Sequence, residues 1–180
     1  GLLRASKFNF GRMLYGDGTG ALGTVFQLEE DHNSAMIDSV KGVVEGMLVD
    51  FATSSGELIE SAIGRKVVKV DSINNIITVS GAPLTEEIQA DGKVYLHGSK
   101  DYEITGLGAI FSNSQQIYGV DRSATPILRP HIEEDVGVIS ENIIQAVIDN
   151  IEDQSGGRIN LILCSRGVKR ALANYYREYD

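Results

Sequence analysis

The stretch that decides the fold class is residues 66–80, KVVKVDSINNIITVS. It contains two runs rich in β-branched side chains, 66–71 and 76–80, which are typical of strands. The four residues between the runs, 72–75, include two asparagines, and asparagine tolerates the left-handed backbone conformation of a tight turn. The stretch therefore predicts a β-hairpin.

The residues around this hairpin predict a small β-rich subdomain. Two further strand-like runs, 47–52 and 93–97, lie on either side of it, and helical periodicity is absent between residues 46 and 98. Four short strands at such close spacing are typical of a small barrel or sheet. We therefore expect residues 46–104 to form an inserted β-rich subdomain.

Helices are predicted on both sides of that subdomain. Residues 2–15 carry a loose apolar stripe that ends at a glycine-rich turn, and a strand is expected at 21–28. Towards the other end, Ser140 is a good N-cap before a broad stripe of isoleucine and valine. Ser165 is the N-cap of a last helix, and residues 159–164 predict a strand buried on both faces.

Composition limits the classes of function open to the chain. Its 180 residues carry a formal net charge of −9, which argues against a dedicated DNA- or RNA-binding domain with a basic face. No apolar run reaches the roughly 20 residues of a membrane-spanning helix, so no membrane partner is expected. The single cysteine, Cys164, excludes an internal disulfide framework. The chain starts without methionine and stops within a helical pattern, so we expect a piece of a longer subunit.

Neither the acidic residues nor the histidines predict a metal site. Acidic side chains are densest between Glu29 and Glu60, where we expect a solvated surface because the spacing of a calcium-binding EF-hand is absent. The three histidines, His32, His97 and His131, lie in separate segments without ligand spacing. The sequence predicts no catalytic residue, no metal and no cofactor.

One glycine pattern matches a nucleotide-binding motif by its letters alone. Gly18, Gly20 and Gly23 fit G-x-G-x-x-G. A dinucleotide site needs a strand before this pattern and a helix after it, because the pyrophosphate binds at the helix N-terminus. Here a helix precedes the glycines and a strand follows them, so the pattern predicts a turn.

A second pattern resembles the phosphate loop of cysteine-dependent phosphatases. Cys164, Gly167 and Arg170 fit C-x-x-G-x-x-R, between a predicted strand and a predicted helix. A helix N-terminus and a nearby arginine would lower a thiol pKa and bind phosphate. The pattern departs from that family because Leu163 replaces the expected histidine and Ala171 the expected serine or threonine. The alternative interpretation is a small core thiol at the end of a strand.

An ordered series of motifs resembles the major capsid proteins of tailed phages, of the Hong Kong phage type. The motifs span nearly the whole chain and are RMLYGDGTG at 12–20, GM at 46–47, GLGAI at 106–110, YGVDRS at 118–123, SGGRINLI at 155–162 and SRGV at 165–168. One departure is the absence of tryptophan, which such proteins often carry soon after the Gly-x-Asp-Arg segment.

The resemblance implies an α+β fold, the tailed-phage major capsid fold with an inserted β-rich subdomain. Residues 1–45 would be the end of the spine helix and part of the peripheral domain. Residues 46–104 would be the insertion, and residues 105–180 the first part of the axial α/β domain.

The function implied by the resemblance is structural rather than enzymatic. Copies would form pentamers and hexamers and close into an icosahedral phage or prophage shell around double-stranded DNA, which is held without sequence specificity. Scaffolding and portal proteins would be further partners, and the shell would assemble in the host cytoplasm and remain in the virion. Bacterial nanocompartment shells share the fold, so membership of a shell is the broader expectation. The tyrosines of the last helix and the loops near Pro126 and Pro130 are expected contacts, and the Cys164 phosphatase is the alternative.

Overall fold

The computed structural model describes residues 2–88, 91–112, 114 and 116–179. The chain divides into two compact units, residues 1–112 and residues 113–180.

The first unit contains two helices and six strands in its described residues. They are α1 (Leu2–Tyr15), β1 (Ala21–Leu28), β2 (Ser34–Ile37), β3 (Leu48–Ala52), β4 (Arg65–Asp71), β5 (Ile76–Val79), β6 (Lys93–Leu96) and α2 (Leu107–Ile110). The predictions of α1, of β1 and of the β4–β5 hairpin are confirmed. Strand β2 was not predicted.

The six strands form a closed antiparallel barrel in the order β1-β2-β5-β4-β3-β6. The hairpin predicted from residues 66–80 joins β4 to β5, and Asp71 pairs with Ile76 next to its turn. The barrel closes where β1 pairs with β6, starting at Ala21 opposite Tyr95. Because β1 also pairs with β2, every barrel strand has a neighbour on both sides. Closure removes the free edges that an open sheet would expose.

The capsid fold that the resemblance implies is wrong for this chain. Strands β1 and β2 lie within residues 1–45, which we assigned to a peripheral domain, yet they belong to the same barrel as β3–β6. The physical reason is the hydrogen bonding of β1 to both β2 and β6, which closes the sheet on itself. Residues 46–104 therefore do not form a separate inserted subdomain, and the boundary predicted at residue 45 falls inside the barrel.

The barrel interior is the hydrophobic core of the described chain. Every buried apolar side chain among the described residues lies between Leu22 and Tyr95. The largest fully buried apolar side chains are those of Val25, Ile37, Val49, Phe51, Val67, Ile77, Val79, Ile88 and Val94. Burial of such side chains is the main driving force for folding, so the first unit has a core of its own.

Helix α1 is held against the segment that follows β6 by very close backbone packing. The Gly108 N–H donates to the Gly16 carbonyl at 3.1 Å. A Cβ atom on Gly106 would lie within 3.0 Å of the carbonyl oxygens of Met13, Leu14 and Gly16. Only a residue without a side chain fits this approach. Two of the motifs quoted above, 12–20 and 106–110, therefore meet in space.

In its described residues the second unit consists of a two-stranded sheet and two helices. They are β7 (Gln116–Ile117), β8 (Val120–Asp121), α3 (Glu141–Ser155) and α4 (Arg166–Tyr179). Ser140 Oγ accepts from the Ile143 N–H, and Gly156 ends α3 in the left-handed conformation, so the predicted N-cap is confirmed. Ser165 Oγ accepts from the Val168 N–H at 3.3 Å, which confirms the second N-cap.

The buried strand predicted at residues 159–164 is wrong. These residues lie between α3 and α4 without helix or strand structure, and their side chains are exposed. The sequence pattern indicated a strand with apolar neighbours on both faces, but no described strand pairs with this segment. A strand needs partners for its backbone groups, and the apolar pattern alone does not supply them.

The close approach at Gly106 yields a test of how α1 is held. We expect Gly106→Ala to lower the free energy of unfolding by about 1–3 kcal/mol, because the added methyl group must displace backbone atoms. Backbone strain is not the cause, since Gly106 has a φ of −95°. Gly11→Ala is the matched control, because Gly11 lies inside α1 with open space around it and alanine favours a helix by up to about 1 kcal/mol. Urea unfolding measures the free energy of unfolding of both variants. Equal changes in that free energy for Gly106→Ala and Gly11→Ala would contradict the expectation.

Candidate functional site

A buried ion pair joins α1 to the segment after β6. Arg12 Nη1 donates to Glu103 Oε2 at 2.9 Å, and Arg12 Nη2 donates to the other carboxylate oxygen. The Glu103 side chain is 2% exposed and the Arg12 side chain 12% exposed. Ser99 Oγ also donates to Glu103, at 3.0 Å. Removing two charges from water costs free energy that largely offsets their attraction, so such a pair adds little net stability. Its contribution is to fix the position of α1 relative to the segment after β6.

A second buried carboxylate, Asp50 on β3, connects three segments at one end of the barrel. Asp50 Oδ1 accepts from the Gly64 N–H at 2.7 Å, and Oδ2 accepts from the Gly98 N–H at 3.0 Å. His97 Nδ1 lies 2.7 Å from Asp50 Oδ1 and donates to it. Gly64 and Gly98 have φ values of +66° and +71°, in the left-handed region that favours glycine. The carboxylate thus ties β3 to the residues before β4 and after β6.

The surroundings of Asp50 favour its ionised form. Burial by itself would raise the pKa of this carboxyl group, but the N–H groups of Gly98 and Gly64 and the His97 ring outweigh burial and lower the pKa below its ordinary value. We expected Asp50 to lie on a solvated acidic surface, and this is wrong, because Asp50 is 2% exposed. The His97 ring, oriented by the carboxylate, remains 46% exposed.

The described residues place no metal-binding cluster around this pair or elsewhere. No group of three or more histidine, cysteine, aspartate and glutamate side chains could hold a metal ion in the part of the chain that the structure describes. His131 belongs to the second unit, where its Nε2 atom lies 3.0 Å from Glu133 Oε1. His32 lies in the turn after β1. The Asp50–His97 pair therefore orients a partly exposed imidazole and stabilises the barrel end.

The two motifs that resemble nucleotide and phosphate sites differ in outcome. The turn predicted for the glycine pattern is confirmed at Gly18 and Gly20, which lie between α1 and β1, and Asp17 Oδ1 accepts from the Thr19 N–H there at 2.9 Å, whereas Gly23 lies within β1. Cys164 is an exposed free thiol before α4, and Arg170 is exposed within that helix. A core position for this thiol is thus excluded. Spacing remains the only feature that favours a phosphate loop.

The second unit exposes apolar side chains that its own elements do not cover. Among residues 114 and 116–177, no apolar side chain is buried. The run between α3 and α4 is the clearest case, because Leu161, Ile162 and Leu163 are 69%, 59% and 62% exposed. Amphipathic helices normally bury their apolar stripe against another element. Exposed apolar surface of this kind occurs at sites of protein, membrane or ligand contact.

A further apolar groove lies in the first unit, between α1 and the loop that precedes β3. Its volume is about 490 Å³, and its lining is formed by Arg4, Ala5, Phe8, Asn9, Val44 and Met47. Convergent polar groups, which a small-molecule site needs for orientation, are few in this lining. The lining of the groove is therefore more typical of a surface for contact with another polypeptide than of a small-molecule site.

No family model, no curated protein and no solved structure matches this chain. Within the described residues, no helix is both long enough and apolar enough to cross a membrane.

Sequence reasoning did not single out the two buried carboxylates. One signal for Asp50 was available, because it is a charged residue in the middle of the apolar run 47–52 and a charge in such a place requires partners. Glu103 gave no comparable signal. Its partner, Arg12, lies far away in the sequence, and the local pattern around Glu103 is irregular.

The lowered pKa of Asp50 predicts how stability depends on pH. The ionised carboxylate stabilises the fold above its ordinary pKa of 3.8, and this stabilisation is lost as the pH falls through the lowered value. We expect Asp50→Asn to reduce the free energy of unfolding at pH 7 by about 1–3 kcal/mol and to flatten its decline in acid. Urea unfolding between pH 2 and pH 7 measures both effects, since this range extends about two units below and about three units above an ordinary aspartate pKa.

Glu45→Gln is the matched control for this experiment, because Glu45 is exposed and forms no hydrogen bond within the described chain. Its profile should follow that of the unmodified protein. An Asp50→Asn profile that kept the full decline in acid would contradict the assignment of that decline to Asp50.

Proposed function

We propose that this chain is a structural subunit of an icosahedral phage or prophage shell that encloses double-stranded DNA. It acts by self-assembly into pentamers and hexamers, with scaffolding and portal proteins as further partners and the virion as its final location. The proposal concerns the shell function and not the capsid fold, which the barrel excludes.

The observation that carries the proposal is the uncovered apolar surface of the second unit. Helix α3 begins and ends at well-formed caps and α4 begins at one, yet none of the described apolar side chains of the unit is buried. A region with specified helices and no core of its own requires another surface to bury its apolar stripes. A neighbouring copy supplies such a surface in any closed assembly.

Two further observations support a shell subunit over other assemblies. The motifs that resemble tailed-phage capsid proteins follow in the same order along nearly the whole chain, and two of them, 12–20 and 106–110, pack together. The net charge of −9 suits the wall of a container that must not bind its DNA tightly.

The test is to express the complete gene product that carries this chain and to examine it by negative-stain electron microscopy and sedimentation velocity. We expect rings or closed particles of uniform diameter. Leu161→Glu should abolish them, because it places a charge in the apolar surface that neighbours bury. The barrel should remain folded in this variant, as its core lies elsewhere in the chain.

Ile73→Glu is the matched control, because Ile73 is 89% exposed at the tip of the β4–β5 hairpin in the first unit. This variant should assemble as the unmodified protein does. A uniform monomer at every protein and salt concentration, with and without the scaffolding protein, would overturn the proposed function.

A further inference from the structure

The two long helices of the second unit carry opposite charges. Residues 130–157, which include α3, contain seven carboxylates and no lysine or arginine. Residues 158–177, which include most of α4, contain five basic side chains and no carboxylate. Although the whole chain has a net negative charge, the second unit therefore contains an acidic segment followed by a basic segment.

Each helix presents its charges on the side opposite its apolar stripe. With 3.6 residues per turn, Glu141, Asp149 and Asp153 share one side of α3, and the half-buried Ile143 and Val147 lie on the other. When the apolar stripe of α3 is covered in an assembly, the charged side of the helix therefore remains free to contact another molecule.

Helix α4 has the same arrangement with the opposite sign. Arg166, Arg170 and Arg177 share one side, and the half-buried Val168 and Leu172 lie on the other. The side of α4 that remains free when its apolar stripe is covered is therefore basic.

Two of these charges oppose the dipole of their own helix, whereas Glu141 in the first turn of α3 and Arg177 in the last turn of α4 agree with it. Asp153 lies in the last turn of α3, where the helix dipole favours a cation. Arg166 lies in the first turn of α4, where the dipole favours an anion. Charges in these places weaken the helix ends, so local helix stability does not account for them.

The opposite charges do not neutralise one another within the chain. In the part of the chain that the structure describes, no ion pair joins a basic side chain of α4 to an acidic side chain of α3. Arg166, Lys169 and Arg170 are exposed, as are Asp149 and Asp153. Both charged sides are thus available to another molecule.

From these observations we infer that the acidic side of α3 in one copy binds the basic side of α4 in the next copy. The inference rests on the proposed self-assembly and names the surfaces that meet. Such a contact is heterologous, because two different patches meet, and repetition of it generates a ring when the rotation closes. Complementary charge also fixes the direction of the contact and speeds association at low salt.

Two charge-reversal variants test the contact. The acidic-side variant is Asp149→Lys/Asp153→Lys, and the basic-side variant is Arg166→Glu/Arg170→Glu. The changes at Asp153 and Arg166 agree better with the helix dipoles, so loss of the helices is not expected. Each variant alone should lose at least about tenfold in apparent self-association, measured by sedimentation velocity, because like charges then meet.

Mixing the two variants distinguishes contacts between copies from contacts within one copy. In the mixture, each reversed helix meets an oppositely charged helix of the other variant when the two variants alternate, so six-membered rings should return, whereas a ring of five cannot alternate them. A protein that combines all four substitutions should also assemble. If α4 instead bound α3 of its own chain, only the combined protein would recover, and the inference would be overturned.

The remaining outcomes are also decisive. If α4 bound DNA rather than a second copy, the acidic-side variant would assemble normally, the basic-side variant would not, and combining all four substitutions would not restore its assembly. Lys66→Glu/Lys69→Glu changes the net charge as the basic-side variant does, at exposed positions on β4, and should assemble normally. Normal assembly of every variant would overturn this contact and leave the proposed function intact, whereas failure of the unmodified protein to assemble would overturn both.

Discussion

Closure of the barrel through β1 is the constraint on which the first unit depends. This strand is eight residues long, so it pairs with β6 near its start and with β2 near its end. Its register shifts along both pairings, as expected where a sheet must bend to close. Once β1 has neighbours on both sides, the interior side chains of Val25, Phe51 and Ile77 are withdrawn from water. The hydrophobic core therefore follows from a backbone pairing between distant parts of the chain.

The two buried carboxylates hold the rest of the first unit on that barrel. Glu103 receives the guanidinium group of Arg12, and so sets the position of α1. Asp50 receives two backbone N–H groups and the His97 ring at one end of the barrel. Each carboxylate is satisfied by several donors, and an unpaired charge at either site would be strongly destabilising. Buried polar groups of this kind specify one arrangement among several that an apolar core would allow.

The sequence predicted features that depend on neighbouring residues and missed those that depend on distant ones. The β4–β5 hairpin and the caps at Ser140 and Ser165 are local signals, and they agree with the structure. Strand β2 was missed because its four residues lie in an acidic stretch and are ordered by pairing with β1 and β5. The apolar run around Asp50 is a local signal of its burial, but its partners, Gly64 and Gly98, lie far along the chain, and no local pattern identifies them. The prediction of the capsid fold was wrong for the same reason. The motifs on which it rested are short local segments, and they do not determine how distant strands pair.

The two units differ in where their stabilisation comes from. The first unit buries its own apolar side chains, whereas the second has well-specified helix ends around Ser140, Gly156 and Ser165 but no buried apolar side chain in its described residues. Residues 159–163 include four apolar side chains, and all five residues are exposed. In the proposed assembly, covering that segment with another chain would couple the final packing of the unit to association. Part of the free energy of association would then order the second unit, so the proposed contact would be weaker than its area suggests. Weak contacts that form together suit a closed assembly, because misplaced subunits can still dissociate before the ring is complete.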